Sequence, residues 1–289
     1  MNSFSYESPK TLQEATALMA STKGVIRPLV GGSDLIDQLR TNRKKADLVM
    51  DIKSIPETMS LEFAKNGDLH LGSGVSCADT YANAIVRAQF AAIAESCELI
   101  GSIQIQNRAS AGGNVCNSSP SADTIPALLV HDTSAIIVSN KGQREISLED
   151  FFTGPGKNIL DDGEFLLKLV VPKPKSNSSS HYLRFIPREE MDIAVAGAAS
   201  FITLDPASNK CSKARIALAA VAPTPIRALD AESVLEGKVL TDKLIDEAST
   251  AAVAAASPIS DVRGSANYRK QLVKVLTKRT LQRCLQSLK

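Results

Sequence analysis

At 289 residues the chain can bury a substantial core and form two or three compact units. Its 44% hydrophobic and 22% charged residues are those of an ordinary globular protein, and a formal charge of +2 calls for neither nucleic acid nor an anionic membrane surface. Aromatics make up 4% and tryptophan is absent, so the core rests on Ala, Val, Ile and Leu, and stacking platforms for bases are scarce.

The first fifty residues alternate helix and strand. Leu12, Ala15, Leu18 and Met19 recur at helical spacing behind Ser8-Pro9. Residues 25–30 form a short apolar run that predicts a strand and ends at Gly31-Gly32-Ser33-Asp34. Leu35, Ile36 and Leu39 share one face of a short helix, and residues 46–52 predict a second strand. This β-α-β pattern implies a parallel pair joined by a right-handed crossover.

From about residue 60 the pattern changes. Leu61-Glu62-Phe63 and Leu69-His70-Leu71 flank Asn66-Gly67, a hairpin signal. Helices are predicted over 77–86 and from 90 to about 100, then from near Pro120 to His131, capped by Ser119 or Ser121. A second glycine doublet, Ser110-Ala111-Gly112-Gly113-Asn114, precedes that last helix and reads as a polar turn. Strands follow at 135–139 and 165–171, with a short element at 147–152 before Gly154-Pro155-Gly156. Residues 172–180, rich in Pro, Lys and Ser, read as a linker. Beyond it come three strands, 182–186, 194–204 and 213–221, and helices at 228–235, 244–256 and about 265–287.

The five cysteines form no C-x-x-C pair and no metal or cluster spacing, and the three histidines are far apart, so no metal site is expected. Met1-Asn2-Ser3-Phe4 does not begin a secretory signal, and no apolar run approaches the ~20 residues of a membrane span. A cytoplasmic location is therefore expected. Gly72-Ser73-Gly74 lacks the rest of a dinucleotide fingerprint, and Gly154-Pro155-Gly156-Lys157 is not a P-loop.

Each glycine doublet can turn backbone N–H groups toward one point, where phosphate oxygens bind, or can be a plain turn. Asp34 suits a helix cap or a loop tie better than a phosphate contact. Asp123, at the head of a helix, can accept hydrogen bonds from sugar hydroxyls or simply complement the helix dipole. No nucleophile–base set accompanies these features, and no catalytic side chain is predicted. A cradle without acid–base machinery suits a redox cofactor, which carries its own chemistry.

Together these segments resemble the FAD-binding medium subunit of the molybdenum hydroxylases, the group containing xanthine dehydrogenase and carbon monoxide dehydrogenase. Val30-Gly31-Gly32-Ser33-Asp34-Leu35 matches the family's Ala-Gly-Gly-Thr-Asp-Leu. Gln106-Asn107-Arg108-Ala109-Ser110-Ala111-Gly112-Gly113-Asn114 matches Arg-Asn-Arg-Ala-Thr-Ile-Gly-Gly-Asn. Ser118-Ser119-Pro120-Ser121-Ala122-Asp123 follows as Ala-Ser-Pro-x-x-Asp, and Arg188 to Ala194 resembles Arg-x-x-x-Asp-Ile-Ala.

The resemblance implies an α+β protein: a two-subdomain FAD-binding fold of the PCMH/vanillyl-alcohol-oxidase type at 1–57 and 58–172, then a C-terminal domain at 173–289 with a three-stranded antiparallel sheet and helices. It implies that the first loop, Leu29 to Leu35 (with Val30, Gly31, Gly32, Ser33 and Asp34), binds the cofactor, and that its glycine doublet together with Ser110, Ala111, Gly112, Gly113 and Asn114 holds the pyrophosphate. Asp123 would take cofactor hydroxyls, Ile100 would lie against the cofactor, and Leu160, Arg184 and Asp192 would lie near the flavin. Position 33 is Ser and no His is near either loop, so the FAD is expected to be non-covalent. The molybdenum cofactor and two [2Fe-2S] clusters belong, by the same resemblance, to a large and a small partner subunit. This chain would pass their electrons to NAD, a quinone, a protein or oxygen. A self-contained FAD oxidase or dehydrogenase, or a non-catalytic assembly subunit, are the alternatives.

Overall fold

The β-α-β unit expected at the start of the chain forms, with one extra strand on its edge. The computed structural model describes residues 2–288. Strands β1 (Ser5–Glu7), β2 (Ile26–Leu29) and β3 (Leu48–Asp51) form a parallel sheet in the order β1-β3-β2, with helices α1 (Leu12–Ser21) and α2 (Leu35–Arg40) between them. Three exposed residues without apolar alternation gave β1 no sequence signal. Thr11 starts α1, its hydroxyl accepting from the Glu14 N–H. Ala15 and Met19 then join Met50, Ile52 and Ile55 in a core shared with Val138, Phe165 and Leu167 of the next unit.

That next unit is a five-stranded antiparallel sheet covered by helices. Strands β4 (Leu61–Phe63) and β5 (Leu69–Gly72) form the expected hairpin, with Gly67 at φ +90°. Six helices follow: α3 (Cys77–Ala82), α4 (Ala84–Gln89), α5 (Ala91–Glu98), α6 (Ile103–Gln106), α7 (Ala111–Asn117) and α8 (Thr124–Val130). The single helix predicted over 77–86 breaks at Asn83, whose side chain caps α4 by accepting from the Ile85 and Val86 N–H groups. The remaining strands are β6 (Ser134–Ser139), β7 (Gly142–Ser147), β8 (Phe152–Gly154), β9 (Lys157–Asn158) and β10 (Phe165–Val171). The sheet order is β4-β5-β10-β6-β7, and β8 pairs only with β9 around the Gly-Pro-Gly turn. Strand β7 escaped the sequence because it is a polar edge strand.

The C-terminal domain has four strands, not the expected three: β11 (Ser178–Phe185), β12 (Ala196–Leu204), β13 (Cys211–Ala219) and β14 (Ile226–Arg227). Two residues behind Pro225 carry no readable period, so β14 could not be foreseen. The expected linker is also shorter, because β11 begins at Ser178. Its serines are satisfied inside the fold: Ser178 Oγ meets Thr203 Oγ1 at 2.8 Å, and Ser180 Oγ accepts from the Ala92 N–H at 3.1 Å. Helices α9 (Leu229–Leu235), α10 (Asp242–Ala255) and α11 (Ala266–Gln286) cover one face of this sheet. The other face, with Tyr182, Ala199, Phe201 and Ala217, packs into the core of the preceding unit. Strand β12 is therefore buried along its whole length, which explains its run of Ala, Gly and Ser where neighbours approach closely.

Candidate cofactor site

A cleft of about 970 Å³ opens between the first two units, and both glycine doublets lie on it. The first glycine of each makes a close backbone approach possible. A Cβ on Gly31 would overlap the Arg108 carbonyl, so the β2–α2 loop rests directly on the segment before the second doublet. A Cβ on Gly112 would sit 2.5 Å from Ser73 Cα, so α7 rests on the loop after β5. Gly32 supplies a different property, a φ of +74° that lets the chain turn into α2.

The second doublet is not the turn that its composition suggested. Ser110 caps α7: its hydroxyl accepts from the Gly113 N–H at 2.9 Å and donates to the Ser73 carbonyl at 2.7 Å. That cap outweighs the poor helix propensity of two glycines. In the first turn of α7 the Gly112 N–H, which lies on the cleft, has no helical carbonyl four residues back to take it. Asn114 Oδ1 accepts from Thr124 Oγ1 at 2.7 Å and so ties α7 to α8. Ser73 lines the cleft, and its buried Oγ has no hydrogen-bond partner among the described residues. An uncommitted helix N–H, an orphan hydroxyl and this volume fit an elongated phosphate-bearing cofactor.

Of the residues singled out in the sequence, Val30, Gly31, Gly32, Ser33, Asp34, Leu35, Ile100, Ser110, Gly112, Gly113, Asn114 and Leu160 line this cleft. Leu29 instead packs beside Leu39 and Val49, and Ala111 is buried in the main core. Asp34 heads α2 but makes no side-chain cap, because its backbone is already helical at φ −97°, ψ −46°. The cap role considered for it does not occur. Likewise α8 starts at Thr124 rather than near Pro120, and the Ser119 and Ser121 hydroxyls bond each other instead of capping it. Asp192 pairs with Arg188 at 3.2 Å on the loop after β11.

Asp123 occupies the cap position of α8, yet its side chain makes no cap either. Its carboxylate accepts from Tyr182 Oη at 2.7 Å and from Arg184 Nη1 at 2.6 Å, while Arg184 Nη2 donates to the Leu99 carbonyl at 2.5 Å. Asp123 and Arg184 thus form a buried ion pair that joins β11 to the residue preceding Ile100. Burial raises the Asp123 pKa, with Arg184 and Tyr182 pulling it back. Burial together with the Asp123 charge drives the Tyr182 phenol well above its usual range.

Ser73, Arg27 and Lys44 are among the lining residues that the sequence did not mark for the site. Ser73 belongs to the Gly72-Ser73-Gly74 run, where both glycines serve packing against the Thr58 backbone. None of the three histidines lines the cleft. His131 is buried between Phe90 and Phe201 and bonds Ser180 Oγ at 2.9 Å; His181 bonds Glu95 at 2.7 Å. Among the described residues no His, Cys, Asp or Glu cluster could hold a metal ion, and no helix is long and apolar enough to cross a membrane.

Comparison with known proteins places this geometry in a family. Residues 2–174 match the FAD binding domain in molybdopterin dehydrogenase, and residues 181–284 match the CO dehydrogenase flavoprotein C-terminal domain. The chain is 30% identical to the xanthine dehydrogenase FAD-binding subunit of Escherichia coli O157:H7, over 96% of this chain and 94% of that one. It is also 30% identical to the glyceraldehyde dehydrogenase medium chain of Sulfolobus acidocaldarius, over 95% of each. The fold matches a chain of carbon monoxide dehydrogenase from Hydrogenophaga pseudoflava with a TM-score of 0.92 at 27% identity, over 98% of both chains. Both domain matches occur in order and the relatives align nearly end to end: the chain belongs to the family of FAD-binding medium subunits of the molybdenum hydroxylases.

Proposed function

We propose that this chain is the electron-transfer flavoprotein subunit of a heteromeric molybdenum hydroxylase. A large partner carries the molybdenum cofactor, where substrate is oxidised, and a small partner carries two [2Fe-2S] clusters. Electrons pass from those clusters to this chain and on to an external acceptor: NAD, a quinone, a protein or oxygen. Bound FAD supplies one- and two-electron redox chemistry, which explains why no nucleophile or acid–base set accompanies the cleft.

The chain's own residues bind and orient. The Gly112 N–H and the Ser33 and Ser73 hydroxyls are donors on the cleft for phosphate or sugar oxygens. Ile100 and Leu160 give the cleft apolar walls for a ring system. The Asp123–Arg184 pair fixes Leu99, and with it Ile100, against the C-terminal sheet. Of the three units expected at 1–57, 58–172 and 173–289, the first two hold the cofactor and the third braces it. In this reading the FAD is held by non-covalent contacts alone.

The observation that carries this reading is the packing of Gly31 on Arg108, which brings two glycine doublets about eighty residues apart onto one cleft. Affinity purification through this chain tests it. A large molybdenum-containing chain and a small iron-containing chain should co-purify, with flavin on this subunit. Substrate turnover by the chain alone, or a chain that takes up no flavin, would overturn it.

A further inference from the structure

We infer that Arg27 and Lys44 form a cationic subsite that engages the diphosphate of the dinucleotide, adding side-chain charge to the backbone donors of the two glycine loops. The inference rests on the FAD reading and assigns two residues that neither family motif contains.

Both side chains line the cleft and both are half-buried. Arg27 lies on β2, the strand that feeds the first glycine doublet; Lys44 lies in the turn between α2 and β3. Three nearby cations are paired in the chain itself, Arg40 and Arg43 with Asp37 and Lys53 with Asp51, while Lys45 and Arg108 have no such pair among the described residues but are exposed and do not line the cleft. Arg27 and Lys44 are different. Arg27 Nε donates to the Lys45 carbonyl at 3.1 Å, and among the described residues its Nη groups have no acceptor. The Lys44 backbone N–H donates to the Gln38 carbonyl at 3.1 Å, but its Nζ has no acceptor and no carboxylate within 4.0 Å among the described residues.

Two like charges that line one cleft with no carboxylate in ion-pair reach among the described residues cost free energy, which an arriving anion relieves. The electrostatics agree with that picture. Burial and the Arg27 charge lower the Lys44 pKa, while Asp34 and Cys116 act in the opposite sense. Asp161, Asp162 and Glu164 also line the cleft, Glu164 paired with Arg144, but among the described residues no carboxylate comes within 4.0 Å of the Arg27 or Lys44 head group. A diphosphate carries the complementary charge, and a guanidinium beside an ammonium offers both forked and point-like donors for it.

The test titrates apo-protein with FAD and with riboflavin, which has the same ring and no phosphate. Wild type, Lys44→Gln, Arg27→Gln and the double variant are compared at low and high chloride. Each single substitution is expected to weaken FAD binding by about tenfold, the range of a lost charged hydrogen bond. Riboflavin affinity and the far-UV circular dichroism spectrum should not change, and the chloride dependence of FAD binding should flatten in the double variant. Wild-type FAD affinity in the double variant, or an equal loss for riboflavin, would overturn the inference. Failure of the wild type to bind FAD at all would instead overturn the functional reading beneath it.

Discussion

Gly31 lies so close to Arg108 that a Cβ built on it would be 2.6 Å from the Arg108 carbonyl carbon. The first cofactor loop is therefore seated on the segment that leads into the second. Gly31→Ala must push the two apart, at the overpacking cost of about 1–3 kcal/mol. Thermal denaturation should show a loss of several degrees, and flavin titration at least a tenfold loss of affinity. Unchanged values for both would mean that the loops do not depend on this contact.

Gly113→Val separates binding from folding. A Cβ there meets only Ser110 Oγ, at 3.1 Å, where Gly112 would drive one into the Ser73 backbone. The variant is expected to keep its far-UV spectrum and lose bound FAD, because the added branches project into the cleft beside the α7 cap. Normal flavin content in a folded Gly113→Val protein would remove this segment from the site.

The Asp123–Arg184 pair should behave as a coupled unit. Arg184→Leu leaves a buried carboxylate without its cation, which costs about 3–5 kcal/mol. Adding Asp123→Asn should recover more than half of that loss in urea unfolding, since the remaining amide can still bond Tyr182. Additive losses in the double variant would show that the two side chains act independently.

His131 gives stability a defined acid limb. Burial lowers its pKa from 6.5 to about 3, with Arg215 and Lys213 lowering it further and Asp132 opposing them. The unfolded chain then binds a proton that the folded chain refuses, so this contribution is complete above pH 6.5 and is lost as pH falls toward 3. At about 1.4 kcal/mol per pH unit, the group alone should remove about 2 kcal/mol between pH 6.5 and pH 5. In urea titrations across that range, His131→Gln should show a shallower slope than wild type; an equal slope would assign the acid limb to other groups.

Legibility in the sequence followed the range of the forces involved. Strand β10 was read to the residue because a buried apolar run ends at Pro172. Its short counterparts β1 and β14 were invisible, being held by strand pairing rather than by their own pattern. The second doublet was misread as a turn because glycine weakens helices; the deciding cap by Ser110 depends on contact with Ser73, 37 residues away. Resemblance pointed to the Gly31 and Ser110 segments as parts of one site. Arg27 and Lys44 stayed hidden, because whether a cation is paired is a tertiary fact.

Reconstitution of the purified chain with FAD, followed by acid precipitation, tests the central claim most directly. One equivalent of FAD per chain should bind before acid, and all of it should appear in the supernatant afterwards. A chain that binds no FAD would contradict its role as the flavoprotein subunit, and flavin retained in the pellet would contradict the non-covalent cradle.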